Sequence, residues 1–290
     1  MDHSELKDDA ESDQPKESFL KVIVHSFFVI PFLIAVFGLL LFAAMHLLTS
    51  EKRSAQDYLK DVKTGSETKR WQSAFELSKM LSNPKALPED SGFYQDMLSA
   101  FEQSRHDSSP LVRQYLALAM GRSGKTIFVT PLIKALKDAD DANRPTIIYA
   151  LGMLKEPKTA GEIEPYLNDP DARVRSIAAT ALGNIANPAS KSALKKVLND
   201  PEPNAQWGAA ISLAGMGDDS GKTILLKLLS RDYLAKFSEV DAEEQTQLML
   251  AAVEAAAKIK DEDLMDRLTE LSKTDRNMKV RAQCLKAISH

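Results

Sequence analysis

The sequence predicts an all-α chain, a right-handed α-solenoid of stacked helical hairpins preceded by a single transmembrane helix. Three observations carry that expectation. The 27 residues from Val22 to Leu48 contain no Asp, Glu, Lys or Arg. Through the middle of the chain, apolar, glycine and charged residues recur at a fixed spacing of 31. Each such unit holds two apolar patterns at helical spacing, with proline between them.

Taken in order, residues 1–21 hold seven acids and three bases and are expected to form an acidic, disordered tail. The uncharged run over 22–48 would rise about 40 Å as a helix, more than the roughly 30 Å of a bilayer core. Its leader is acidic and the run is longer than a secretory signal's apolar stretch, so an uncleaved anchor contacting the lipid bilayer is expected. Pro31 lies in the first turns, where a lipid-embedded helix tolerates it. His25 and His46 are too far apart on one helix to share a haem, and are expected to reach the interface from either end.

Residues 49–66 read as a juxtamembrane linker. Six bases between 51 and 70 (Lys52, Arg53, Lys60, Lys63, Lys69, Arg70) outweigh three in the tail. Positive flanks stay in the cytoplasm, so the chain is expected to be single-pass in a bacterial inner membrane with its main domain on the cytoplasmic side. Subtracting the tail from totals of 37 bases and 41 acids leaves 34 of each for that domain. A neutral domain lacks the basic footprint of a nucleic-acid binder.

From residue 67 to 290 the repeat takes over. Met120, Leu151, Leu182 and Leu213 form one column; Gly121, Gly152, Gly183 and Ala214 the next; Asp107, Asp138, Asp169 and Asp200 another; Arg113, Arg144 and Arg175 a fourth. A period in this range signals units too small to bury their apolar face without neighbours. One helix of each unit is of the kind "PLIKALKD" (131–138), the other of the kind "VRSIAATALG" (174–183), where alanines permit close approach. The glycine after the last apolar position suits a helix end. A longer turn at 83–92 follows the first unit, and an insertion near 231–245 breaks the period.

The motif Asp, five residues, Arg, then an Ala-Leu-Gly-like ending, as in "DPDARVRSIAATALGNI" from Asp169 to Ile185, resembles the HEAT-repeat superfamily in the short form named after phycobilisome lyases. The resemblance implies a stack of about thirteen antiparallel helices. It also implies a hydrogen-bonded ladder of Asp and Arg between repeats, here Asp107 with Arg113, Asp138 with Arg144, Asp169 with Arg175 and Asp275 with Arg281. Gln206 stands where the fourth repeat should have Arg. The second helix of each repeat is implied to line a concave, partner-binding face, through Gln114, Tyr115 and Leu118; Pro145, Thr146 and Tyr149; Ser176, Ile177 and Thr180; and Trp207, Gly208 and Ile211. Trp207, an aromatic at an expected surface position, is the sharpest candidate anchor.

Two stretches suggest nucleotide chemistry, "MGRSGKT" at 120–126 and "GDDSGKT" at 217–223. A phosphate loop needs a glycine five places before the Gly-Lys pair and a strand ahead of it. Those places hold Ala119 and Met216 within helical patterns, so both stretches read as inter-repeat turns. Outside the span and tail the histidines are His106 and His290, too few for a nucleophile–base set. A single cysteine, Cys284, excludes an internal disulfide and a multi-cysteine metal site. The expectation is a scaffold or adaptor with a protein partner, without enzymatic activity, cofactor, metal or nucleic acid. The alternatives are an accessory subunit of a larger membrane complex and a bilin lyase-like enzyme.

Overall fold

A computed structural model describes residues 25–49, 53–138 and 143–289, with side chains in the first stretch described from 27 to 45. The tail, His290 and the side chains of His25 and His46 lie outside the described residues. The chain divides into two units, residues 1–53 and 54–290.

In the first unit a π-helical turn, His25–Val29, runs into α1 (Ile30–Thr49). Phe32, Phe37 and Phe42 are exposed. The stretch Phe27–Met45 has a mean hydropathy of 2.8 and is long and apolar enough to cross a membrane.

The second unit starts earlier than the linker expectation allowed. α2 (Ala55–Thr64) is fixed at its start by a capping box, in which the Ser54 N–H donates to the Asp57 carboxylate at 2.8 Å and Asp57 N–H donates to Ser54 Oγ at 3.2 Å. Ala55, Leu59 and Val62 stand on one helical face and are buried. The linker reading is thus corrected over 55–64, where Asp57, Lys60 and Lys63 occupy the outer face of a packed helix.

Then follow α3 (Glu67–Met80), α4 (Ser91–Gln103), α5 (Pro110–Arg122), α6 (Val129–Asp138) and α7 (Arg144–Leu154). In the next unit the first helix is short. α8 (Ala160–Ile163) gives way to a 3₁₀ segment, Glu164–Asn168, at Pro165, which has no N–H to continue the α ladder. α9 (Ala172–Ile185), α10 (Lys191–Val197), α11 (Pro203–Gly215) and α12 (Lys222–Leu228) complete the regular part. The insertion forms the single turn α13 (Arg231–Leu234), and α14 (Ala242–Ile259), α15 (Glu262–Thr274) and α16 (Met278–Ile288) end the chain. The described residues contain no strand.

The packing is that of an α-solenoid. α3, α5, α7, α9, α11, α14 and α16 each pack on the next to form a second-helix row, with α2, α4, α6, α10, α12 and α15 in the first-helix row. Between the rows runs a core whose columns are those of the sequence: Met120, Leu151, Leu182 and Leu213 are all fully buried.

The glycine column does something other than end helices. Gly121, Gly152 and Gly183 lie inside α5, α7 and α9. A Cβ on Gly152 would stand 2.7 Å from Ala181 Cα, and one on Gly121 2.8 Å from Ala150 Cα. Successive second-row helices therefore touch backbone to backbone, and glycine is the residue that fits. The left-handed positions that end the helices fall three places later, at Gly124 (φ 64°), Lys155 (φ 53°), Ala186 (φ 55°) and Gly217 (φ 71°), again 31 apart.

Candidate binding face

What sets one second-row helix against the next is an arginine ladder, and its register differs from the expected pairing. Arg175 Nε and Nη2 donate to Asp200 at 2.7 and 2.9 Å, in the following repeat, while its Nη1 donates to the backbone oxygen of Asp169 at 2.9 Å. The Asp169 carboxylate instead lies 3.5 Å from Arg144 of the preceding repeat. Arg70 holds Asp107 through two bonds of 2.9 and 3.0 Å, and Arg231 holds Asp275 at 2.7 and 2.8 Å. Arg281 reaches the Asp275 backbone oxygen at 2.6 Å. Arg113 donates to Phe101 O at 2.9 Å and covers its ring, and Asp138 lies 3.7 Å from Arg105. The carboxylates expected to pair within a repeat thus pair across repeats; at Arg70 and Arg175 a guanidinium already turned to a carbonyl presents its remaining N–H edge to the next unit.

The irregular position resolves in the same terms. Gln206 Nε2 keeps the carbonyl bond, to Asp200 O at 2.6 Å. The place 31 residues after Asp200, where the next carboxylate would stand, is Arg231. By that register an arginine at 206 would be set against a like charge, which the neutral glutamine avoids, and Arg231 carries the ladder on to Asp275. The Arg175 guanidinium holds the Asp200 carboxyl below the usual carboxylate range. Burial opposes the same effect at Asp275, where Arg231 nevertheless keeps the pKa low.

The ladder supports a face whose expected residues divide. Gln114, Tyr115, Leu118, Ser176 and Ile211 are half-buried; Thr180 is exposed, and Tyr149 is 39% exposed. Tyr115 meets the Phe75 ring edge-on at 5.1 Å. Thr146 and Ile177 are half-buried and Pro145 is buried.

Trp207 does not stand on the surface. It is 2% exposed and packs edge-on against Phe237 at 5.0 Å and Tyr233 at 6.3 Å, with its Nε1 donating to Tyr233 Oη at 3.3 Å. Both partners come from the insertion, so the anchor expectation is corrected: Trp207 fastens the insertion to α11. The inserted segment is also shorter than expected, since Asp241 caps α14 by accepting from the N–H groups of Glu243 and Glu244, both at 2.8 Å.

Between α9, α11 and α14 the face is hollowed. One hollow of about 460 Å³ is lined by Ile177, Trp207, Gly208, Ile211 and Leu248. A second, of about 480 Å³, shares Asn204 and Leu248 with it and is walled by Glu239, Val240 and Glu243. The sequence register located the α9 and α11 contributions; it missed Leu248 and the insertion wall, which stand outside the period.

The two Gly-Lys-Thr stretches are turns. Lys222 Nζ lies 2.7 Å from Asp261 and 2.6 Å from Asp263, and Gly221 is pressed against Ala210. Lys125 covers the Tyr94 ring. His106 is exposed. Burial pushes the Cys284 thiol up to about 11, so it stays protonated. Among the described residues no group of His, Cys, Asp and Glu could hold a metal ion.

Comparison with known proteins places this geometry. The model of the HEAT repeats family matches residues 98–164 and 162–242, half of the chain. Among solved structures the chain is similar to the complex of CpcE and CpcF of phycocyanin lyase from Nostoc sp., at 18% identity and a TM-score of 0.57, covering 83% of this chain and 96% of that one. It is also similar to the Escherichia coli protein YibA (17% identity, TM-score 0.48, 86% and 85% covered) and to a designed armadillo repeat protein (17%, 0.36, 82% and 99%). At these identities the likeness is one of fold alone. No curated protein matches the chain.

Proposed function

The chain belongs to the HEAT-repeat family, and from that premise we propose that it is a membrane-anchored scaffold holding a protein partner on the face of its second-helix row. The observation that carries the reading is a contrast within one repeat. Beneath the surface the columns are near-identical, from Met120 to Leu213, whereas the positions above them run from Tyr115 and Tyr149 to Ser176, Thr180 and Ile211. A face hollowed at one end and aromatic at the other suits one irregular partner.

The apolar α1 supports anchoring, and the six bases at 51–70 support a cytoplasmic solenoid. On this reading the chain has no catalytic role, no cofactor and no nucleic-acid partner; the scaffold acts as an adaptor or as a fixed subunit of a membrane complex. The likeness to the phycocyanin lyase complex brings no lyase chemistry with it.

The test is co-purification of the full chain from membranes in mild detergent, comparing wild type with Tyr149→Ala, Thr180→Arg and the first-row control Lys196→Ala. The first two are expected to lose a protein that the control retains. Recovery of the same proteins in the same amounts by all four folded chains would overturn the assignment of the face.

A further inference from the structure

The geometry points to a cationic, apolar peptide segment of a protein partner as the occupant of the trough between α9, α11 and α14. This rests on the reading of the second-row face and narrows it to a place and a chemistry. The floor of the trough is apolar, with Ile177, Ile211 and Leu248 half-buried and Gly208 set close against Ser176 and Thr180 of α9. The rim is acidic. Glu202 borders the first hollow, and Glu239, Glu243 and Glu244 border the second. Among the described residues no salt bridge joins these four carboxylates to a Lys or Arg, although Glu202 lies in the field of Arg175: Glu243 accepts from the Gln247 amide at 2.8 Å and Glu244 from the Asp241 backbone N–H at 3.1 Å.

Several charges near the trough, by contrast, are paired. Lys195 meets Asp218 at 2.9 Å, Lys222 is held between Asp261 and Asp263, and Arg267 meets Glu270 at 2.6 Å. Arg173, the cation at the far wall, has its own partner in Asp171 at 3.7 Å. The rim of the trough therefore carries more acid than base, four carboxylates against Arg173.

Like charge excludes the competing occupants. An anionic bilayer surface or a nucleic-acid backbone would meet four carboxylates, at a cost in both affinity and encounter rate. A bare metal ion needs ligands converging on one point, and no such group exists among the described residues. A peptide with Lys or Arg flanking an apolar side chain satisfies both features: the apolar group covers Ile211 and Leu248, and the cations reach the rim without being desolvated.

The probe is a short fluorescein-labelled peptide of sequence Lys-Leu-Lys-Lys-Leu-Lys, with its Glu-for-Lys and Ser-for-Leu counterparts. Anisotropy is read against the full chain in zwitterionic-lipid nanodiscs, with empty nanodiscs as blank. The Lys/Leu peptide is expected to bind, more weakly as salt rises; the Glu/Leu peptide is not, and the Lys/Ser peptide should bind less tightly. Glu239→Gln with Glu243→Gln should weaken the Lys/Leu peptide about fivefold, whereas Glu89→Gln with Glu102→Gln, exposed carboxylates away from the trough, should leave it unchanged.

Failure of the Lys/Leu peptide to bind, equal binding of the Glu/Leu or Lys/Ser peptide, or an unchanged Kd in the Glu239/Glu243 pair overturns the inference. If that happens while Thr180→Arg and Tyr149→Ala still lose their co-purifying protein, the face stands and its charge assignment falls. If neither assay responds, both fall.

Discussion

The ladder register makes a quantitative prediction. In Asp200→Ala, Arg175 loses two charge-assisted bonds of 2.7 and 2.9 Å, and the Glu202 N–H loses its 2.9 Å acceptor, in a pair whose side chains are 14% and 8% exposed. Arg175 keeps the Asp169 and Pro170 carbonyls at 2.9 and 3.2 Å, so its charge is not stranded. A hydrogen bond to a charged group contributes about 1.5–3 kcal/mol and breaking a well-buried pair about 3–5, which places the loss near 3 kcal/mol. For a domain of this length that lowers the melting temperature by about 6–12 °C. The assay is a double-mutant cycle on the detergent-solubilised chain, followed by far-ultraviolet circular dichroism. Asp200→Ala, Arg175→Ala and their combination should show a coupling of about 2 kcal/mol. Asp169→Ala with Arg175→Ala should couple by less than about 0.5 kcal/mol, because Arg175 uses the Asp169 backbone oxygen, which the substitution leaves in place. The reverse result, strong coupling of Arg175 to Asp169 and none to Asp200, would refute the cross-repeat ladder.

Gly152→Ala should destabilise the chain by about 2 kcal/mol because the added methyl meets the Ala181 backbone, whereas Ala186→Gly should stabilise it by about 0.5–1 kcal/mol by relieving a left-handed alanine at φ 55°; thermal melts of the two variants should move in opposite directions. Trp207→Ala should cost about 3–5 kcal/mol and expose the insertion to limited proteolysis near Phe237, so an unaltered digestion pattern would separate the insertion from α11. Asp107, Asp200 and Asp275 titrate below their ordinary value in the folded chain, and Asp218, through Ser220 and Lys195 against the opposing effect of burial, at about 2. Lowered folded pKa values stabilise above the unfolded value near 3.9 and lose that contribution as pH falls, so the melting temperature should be level at neutral pH and drop between about pH 4 and pH 2.

The period of 31 made most of the fold legible, since it marks the buried columns directly. It could not choose the ladder register, because an arginine six residues after one aspartate is also 25 before the next; both relations are used, one through a carbonyl and one through a carboxylate. The same ambiguity hid the glycines. Near a helix end, Gly152 looks like a terminator, while the terminating positions at Lys155 and Ala186 carry no glycine to announce them. The charges of α2 outnumber Leu59 and Val62 and give the segment the composition of a linker, although those two with Ala55 make a full helical stripe. Trp207 differs from its expected place for another reason: its register is that of a surface position, and the aromatic rings covering it arrive from an insertion that the period does not describe. Of the candidate face, the α9 and α11 residues followed from register, but the trough needed Leu248 and Glu239, which only the folded chain brings beside them.

The central claim, that the second-helix row carries a protein partner, is tested most directly by site-specific photo-crosslinking of the full chain in its native membrane. A photoreactive residue placed in turn at Tyr149 and Thr180 on the second row, and at Lys134 and Lys196 on the first, reports what each face touches. The account predicts a discrete protein adduct from Tyr149 and Thr180 and none from Lys134 or Lys196. Adducts from the first-row positions alone would contradict it.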